Sequence, residues 1–404
     1  MMGGKSIKTQ KRKKQTLWFF VCAVPSILRR LHLCMNLETV WAVILKLFVG
    51  SAFYIVTRMI MKTCSTPSYD FDYVQAASEY KNKYCPFGET AFGKAIFVMT
   101  LGGAAMALAL VYFYMFRWSR VDKKSCSPRA VLLVAIPSAL DMVSTAMATF
   151  GIPYISLSLA FIFKGARVVF SAILTVVLLK RRLYSYHWTS VVLCMLGLVV
   201  AASSQLFVNP STFVGIVLIL GSELFKALRV IIEERLMKDQ AFEPTFIVGI
   251  EGVYGVIVFG STMFIAWLAI SGSDGGSFEN LPDTLIRIGD FPILIALLCI
   301  FPILACIASI TSAVVTRNLS AVHNGMISVI RVGLLWMFEL ILYYSFDGSS
   351  FGKQLGEAWT PYSSLKLVGF GIVVFSTLLY DEDIKIPKLF TYHVAESKSN
   401  TELL

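Results

Sequence analysis

Ten apolar runs partition this chain, at residues 39–61, 93–116, 131–150, 153–179, 187–205, 212–230, 245–269, 291–315, 322–345 and 364–380. A helix needs about 20 mostly apolar residues to cross the hydrocarbon core of a bilayer. Lipid offers the backbone no hydrogen-bond partner, so a run of that length must close its own backbone bonds as a helix. The chain has 404 residues, 56% hydrophobic and only 15% charged, with a mean hydropathy of +0.71. A soluble domain carries about 25% charged residues, and the deficit here is what a lipid-facing surface requires. No gap between the runs is long enough for a soluble domain. The expected fold class is all-α: one polytopic membrane protein with ten transmembrane helices.

The net charge of +11 would suggest nucleic acid or acidic partners in a soluble protein. In a membrane protein it reads as the Lys and Arg excess that cytosolic loops carry. With ten spans, 23 Lys and Arg fall on one side and five on the other, namely Lys62, Lys81, Lys83, Arg287 and Lys353. Six of the larger set lie within the first fourteen residues, and Arg229, Arg235 and Lys238 are assigned to the loop after the sixth span. This asymmetry places both termini in the cytosol, with membrane lipids and no nucleic acid as expected partners. The segment Leu17–Leu28 is apolar but short, contains Pro25 and is followed by Arg29 and Arg30. No small-residue cleavage pattern follows it, so it reads as an interfacial helix. If it spanned the membrane, the amino terminus would move to the other side.

Ten spans divide into five and five, and an odd number per half inverts the second half relative to the first. Inverted repeats of this kind mark transporters whose site lies near the midplane. The expected organisation is a basic cytosolic segment over 1–38, a first five-helix repeat over 39–205, an inverted second repeat over 206–380 and a cytosolic tail over 381–404. Superposing Arg167 of span 4 on Arg331 of span 9 also aligns Ser156 with Ser320. The fifth and tenth spans share Gly-centred apolar stretches, 196–200 and 368–374. Small residues such as Gly102 to Ala105 in span 2 suit close helix packing.

Charge inside these runs is what points to a site. A charged side chain at mid-bilayer depth costs several kcal/mol, by disputed estimates about 3 to over 10. Asp141, Lys164, Arg167 and Arg331 each lie about ten residues from either end of a span, too deep for easy snorkelling to the surface. Lys164 and Arg167 are i and i+3 and project from one face. Three readings stay open for this set: a structural ion pair between the cations and Asp141, a substrate site that pairs them when empty, or a proton-coupling relay. Glu223, Lys226, Glu251, Glu339 and Lys46 are candidates for coupling or pairing, with Glu223 and Lys226 spaced to neutralise each other. Central cations suit an anionic or carboxylate-bearing solute, whereas Asp141 suits a cationic one. Arg58, near a helix end, reads as an anchor.

The eight cysteines show no metal-ligand spacing, and no metal or cofactor is expected. Cys64 and Cys85 sit in the largest loop of the cation-poor side and pair there if the compartment is oxidising. The sequon Asn318–Ser320 falls in an expected cytosolic loop. The chain contains no HExxH or Walker motif, an enzyme is not expected, and without an ATPase domain any transport is secondary. A membrane scaffold acting through the basic amino terminus is the alternative from another functional class. A homodimer is compatible with the pattern.

The chain resembles the drug/metabolite (EamA-like) transporter superfamily, and within it the solute carrier 35 branch that includes the F6-type members. Chloroquine-resistance-type transporters are more distant. The resemblance is carried by Pro137-Ser138-Ala139-Leu140-Asp141-Met142, by Phe163-Lys164-Gly165 and by Leu179-Lys180-Arg181-Arg182-Leu183. Glu233-Glu234 and the run Gly249-Ile250-Glu251-Gly252-Val253-Tyr254-Gly255 add to it. It covers most of residues 93–380. It implies ten helices in two inverted halves, cytosolic termini, and alternating-access transport of a small solute in a Golgi, endosomal, lysosomal or vacuolar membrane. Nucleotide-sugar antiport is one activity within the superfamily. The chain departs from the family's Gln-x-Leu-Arg-Gly in span 4. Lys164 stands in the arginine's place, the glutamine is absent, and Arg167 is an addition. Asp141 is then the expected resting counter-ion of the span 4 cations.

Overall fold

The computed structural model describes residues 37–68, 85, 89–117, 128–151, 154, 163–180, 183–203, 212–239, 241–272, 274–345, 359, 363–380 and 384. The interfacial segment Leu17–Leu28 and the tail beyond residue 384 lie outside them. Eleven α-helices follow along the chain: α1 (Leu37–Lys62), α2 (Ala95–Tyr112, extended by a π-helical turn Phe113–Arg117), α3 (Pro128–Gly151) and α4 (Ala166–Leu179). Then come α5 (Ser185–Ser203), α6 (Thr212–Asp239), α7 (Pro244–Leu268), the short α8 (Leu281–Asp290), α9 (Pro292–Asn318), α10 (Ala321–Ser345) and α11 (Ser363–Tyr380). Proline opens α3, α7 and α9, a position where its missing N–H costs nothing.

Among the described residues, seven helices are long and apolar enough to cross a membrane: α1, α2, α3, α7, α9, α10 and α11. Helices α4 and α5 are apolar but shorter. Helix α6 has 28 residues, but Glu223, Lys226 and Arg229 interrupt its apolar stretch. Large apolar side chains lie exposed along the helices, among them Trp41, Phe48, Leu132, Val199 and Leu268. A soluble monomer rarely leaves such extensive apolar surface open; around this bundle it is the surface that lipid covers.

Packing pairs helices distant in sequence. Helix α2 lies along α7, α5 along α11, α3 along α6 and α1 along α9. Helix α4 also touches α6, and α1 touches α10. Small residues permit the closest crossings. A Cβ on Gly252 would lie 2.2 Å from the Ala107 backbone nitrogen, and one on Gly197 would lie 2.8 Å from the Gly369 carbonyl oxygen. One buried cluster joins α4, α5, α10 and α11 through Val169, Leu198, Met326 and Val373. A second joins α2, α3, α6, α7 and α9 through Phe113, Val134, Leu236, Phe246 and Ala313.

Of the run expected as one span over 153–179, residues 155–162 lie outside the described ones. Lys164 and Gly165 form a turn, and α4 begins only at Ala166. The first bonds past the turn reach back three residues, from the Arg167 N–H to the Lys164 carbonyl (3.3 Å) and from the Val168 N–H to the Gly165 carbonyl (3.0 Å). That tight spacing is characteristic of a helix terminus.

Two hairpins and α8 close one end of the bundle. Strand β1 (Cys64–Ser65) pairs antiparallel with β2 (Thr90–Ala91), and β3 (Ser271–Gly272) pairs with β4 (Gly276–Ser277). Cys64 and Cys85 form a disulfide. Arg287 on α8, assigned above to an open loop, is buried. It donates to Thr90 Oγ1 (2.7 Å) and pairs with Asp283 (2.8 Å). Asp283 accepts from the Ser68 N–H (2.8 Å) and from Lys94 Nζ (2.7 Å), and Lys94 also pairs with Asp274. Burial works against the Asp283 carboxylate, but bonds from Lys94, Ser68 and Arg287 win and hold its pKa below the usual value. Burial wins at Glu279, raising its pKa although the carboxylate accepts from the Ile96 and Phe97 N–H groups (2.9 and 2.7 Å). Those are orphan donors at the start of α2, where an acidic group is favoured.

At the opposite end, Glu234 of α6 accepts from the Ala321 N–H (2.7 Å) at the start of α10, and Arg317 of α9 pairs with Glu243 (2.8 Å). Each end of the bundle is therefore tied by side chains from distant segments.

Candidate functional site

Two centres of buried charge lie inside the bundle, and α6 contributes to both. The first gathers around Tyr54 of α1. Lys164 Nζ sits 4.2 Å from the Tyr54 ring centroid, and the Arg331 guanidinium carbon of α10 sits 4.9 Å from it. A cation over an aromatic face is attracted by the ring quadrupole, more strongly when desolvated. Arg331 lies against α1 at Gly50, where an added Cβ would come within 2.7 Å of its terminal nitrogen. Arg167 pairs with Glu223 of α6 at 2.5 Å. Lys46, 1% exposed, donates to the Asn324 carbonyl at 2.8 Å. Lys226 lies within electrostatic reach of Tyr54 and Lys164. The chamber thus collects five cations, Lys46, Lys164, Arg167, Lys226 and Arg331, against one carboxylate, Glu223. The turn before α4 places the amino-terminal end of that helix beside these cations, adding its own partial positive charge.

The second centre is built on Arg229 of α6. Its Nη1 bonds Asp141 of α3 at 2.6 Å, its Nη2 bonds Glu251 of α7 at 2.6 Å, and its Nε bonds Glu233 one turn further along α6. Three carboxylates share one guanidinium. Glu223 and Arg229 are six residues apart, so the two centres are about 9 Å apart along α6 at 1.5 Å rise per residue.

These contacts correct several expectations. Asp141 is not the counter-ion of Lys164 and Arg167; its bond goes to Arg229. Glu223 bonds Arg167 and not Lys226. Glu339 pairs with Arg58, so Arg58 is more than a surface anchor. The structure does gather Lys164, Arg167, Arg331 and Lys46 into one chamber, with Asp141 and Glu251 in the other centre. Tyr54, Asn324 and Arg229 were not singled out as site residues. The sequence reading assigns Arg229 to the loop after the sixth run because it lies at the end of that run, whereas α6 continues to Asp239 and carries Arg229 within the helix. Its spacing of four residues from Glu233 was the signal available. Tyr54 gave none, since an aromatic residue in an apolar run is ordinary.

No family model matches the chain. Solute carrier family 35 member F6 of Rattus norvegicus is 26% identical over 327 residues, covering 76% of this chain and 82% of the relative. The Homo sapiens protein of the same name is 24% identical over 289 residues, covering 67% of this chain and 74% of the relative. The chain is similar to the solute carrier 35 branch of the drug/metabolite transporter superfamily. An uncharacterized protein of Schizosaccharomyces pombe is 22% identical, over 63% of this chain and 76% of its own length. The apolar helices of this chain, together with these solute carrier relatives, mark it as a multi-pass membrane protein similar to solute transporters.

Proposed function

We propose that this protein is a secondary transporter that carries a small anionic organic solute across an endomembrane by alternating access. The observation that carries the anionic assignment is the chamber around Tyr54, where, among the described residues, buried Lys46 and four half-buried cations face one carboxylate. An anion entering it supplies the missing counter-charge. A guanidinium at Arg331 can grip a carboxylate or phosphate through two parallel bonds.

The proposed frame has ten spans in two inverted halves over 39–205 and 206–380, with both termini cytosolic. Its spans are α1 to α7 and α9 to α11, with α8 set aside. Exchanging the halves in that order turns the α3–α6 contact into the α9–α1 contact and the α4–α6 contact into the α10–α1 contact. The α2–α7 and α5–α11 pairs map onto themselves. Helices α3 and α9, equivalent under this exchange, each carry an internal proline, Pro137 and Pro302. These correspondences support the inverted plan.

The test is uptake by proteoliposomes offered a panel of radiolabelled dicarboxylates, amino acids, nucleotides and organic cations. Uptake of at least one anion is expected, and K164E or R331E should lower it at least tenfold. Uptake confined to cations, or anion uptake indifferent to both reversals, would sink the assignment.

A further inference from the structure

The basic chamber does not use the Arg229 centre, whose charges do not balance. Asp141, Glu233 and Glu251 together exceed the single guanidinium by two negative charges. Asp141 forms the outer edge, with 25% of its side chain exposed, whereas Glu233 and Glu251 are 6% and 3% exposed. Glu251 Oε2 is held by Arg229, but its Oε1 is buried with no hydrogen-bond partner. Glu233 and Glu251 sit on two nitrogens of the same guanidinium, Nε and Nη2. Both carboxylates are acceptor-only when ionised, so neither supplies a hydrogen to that Oε1.

Among the described residues, other charges do not fill the gap. Helix α2, which packs most closely on α7, carries no charged residue over Ala95–Tyr112. Helix α9 carries only Arg317, which is bonded to Glu243. From α3 and α6 the groups facing Glu251 are Asp141, Arg229 and Glu233. Among the described residues, no group of His, Cys, Asp and Glu is arranged to hold a metal ion.

We infer that Glu251, with Glu233 beside it on the same guanidinium and its own Oε1 unpartnered, forms a proton-binding site. The bound proton removes one of the two excess charges. Its loss leaves two anions facing each other across the α6–α7 boundary, where like charges repel in a low-dielectric setting. The two protonation states therefore favour different packings of α6 on α7. Helix α6 also carries Glu223, so this change reaches the basic chamber through one rigid element. The site deepens the transporter reading, and only its role in coupling rests on that reading.

The direct test is infrared difference spectroscopy of the purified protein across pH, read at the C=O stretch of a protonated carboxyl. A protonated band at neutral pH is expected, lost in E251Q and in E233Q but kept in E339Q, whose carboxylate belongs to the separate Arg58 pair. Using two isosteric variants guards against misfolding of either. A neutral-pH spectrum without the band, or a band unaffected by both variants, overturns the proposal. The uptake assay, run with and without an inward proton gradient, tests coupling: the gradient should stimulate wild-type uptake and leave E251Q at least tenfold less stimulated. Equal stimulation in E251Q overturns the coupling role. The band without any solute uptake would defeat the transporter reading and leave the proton site standing, whereas uptake without the band would do the reverse.

Discussion

Arg229 shows how one side chain can hold a region together by being shared. Its three nitrogens bond carboxylates on α3, α6 and α7. Removing one partner of a buried ionic group typically costs about 3–5 kcal/mol, because the remaining charges stay buried. R229M should fall in that range, measured by thermal unfolding in detergent. R229K should recover only part of the loss, since an ammonium cannot match three fixed bonding directions. A melting temperature equal to wild type for R229M would mean that the three acids are already neutral without the guanidinium. At this scale the sequence marked which residues are out of place in lipid, since Asp141, Lys164, Arg167, Glu223, Glu251 and Arg331 are conspicuous by depth alone. It did not mark their partners. Pairing depends on which helices touch, and neither the α3–α6 nor the α6–α7 contact is written in any local pattern.

Helices and hairpins were legible to different degrees. The long apolar runs gave α1, α2, α3, α7, α9, α10 and α11 nearly to their ends, because hydropathy alone decides them. The fourth run did not mark where α4 begins, because apolar composition does not register the turn at Lys164-Gly165. The α2–α7 crossing is set by Gly252, where a Cβ would meet backbone that cannot move aside. G252L should force the helices apart and cost about 1–3 kcal/mol or more, the usual range for overpacking, read as a lower melting temperature. The hairpin end makes a prediction with a sign in pH. The folded pKa of Asp283 lies below its usual value, while an unfolded Asp titrates near 3.9. Its contribution is therefore fully present above about pH 4 and is lost as pH falls through the lower folded value. D283N should destabilise the protein at pH 7, and the gap from wild type should narrow as the pH falls below about 4. A pH-independent gap would show that the loss is steric. Glu279 has the opposite sign. Its folded pKa is raised, so its contribution is present in acid and lost as pH rises through that value. E279Q should therefore flatten the decline in stability on the way to neutral pH.

The whole molecule sets its two tied ends on either side of the two charge centres. Lys94, Asp274, Asp283 and Arg287 join the hairpins to α2 and α8 at one end. At the other, Arg317–Glu243 and the Glu234 bond to the Ala321 N–H join α9, α7, α6 and α10. Under the proposed alternating access each end opens in turn around a fixed site, and these ties would be what must break. Ser51 of α1, 4% exposed and adjacent to Gly50 where Arg331 packs, can report the outcome. In a background without other free thiols, S51C in proteoliposomes is reacted with a membrane-impermeant thiol reagent added to one side at a time. Adding K94A should speed labelling several-fold from the hairpin side alone. Adding R317A should speed it from the opposite side alone. Faster labelling from both sides in either variant would indicate general loosening, and no change in either would place the gates elsewhere. The span count and charge asymmetry suggested a two-ended machine, but the ties were not legible beforehand. Lys94 lies inside an apolar run, and Arg287 reads as one loop cation among five. Only tertiary contact turns them into a clasp whose release can expose the basic chamber to one side at a time.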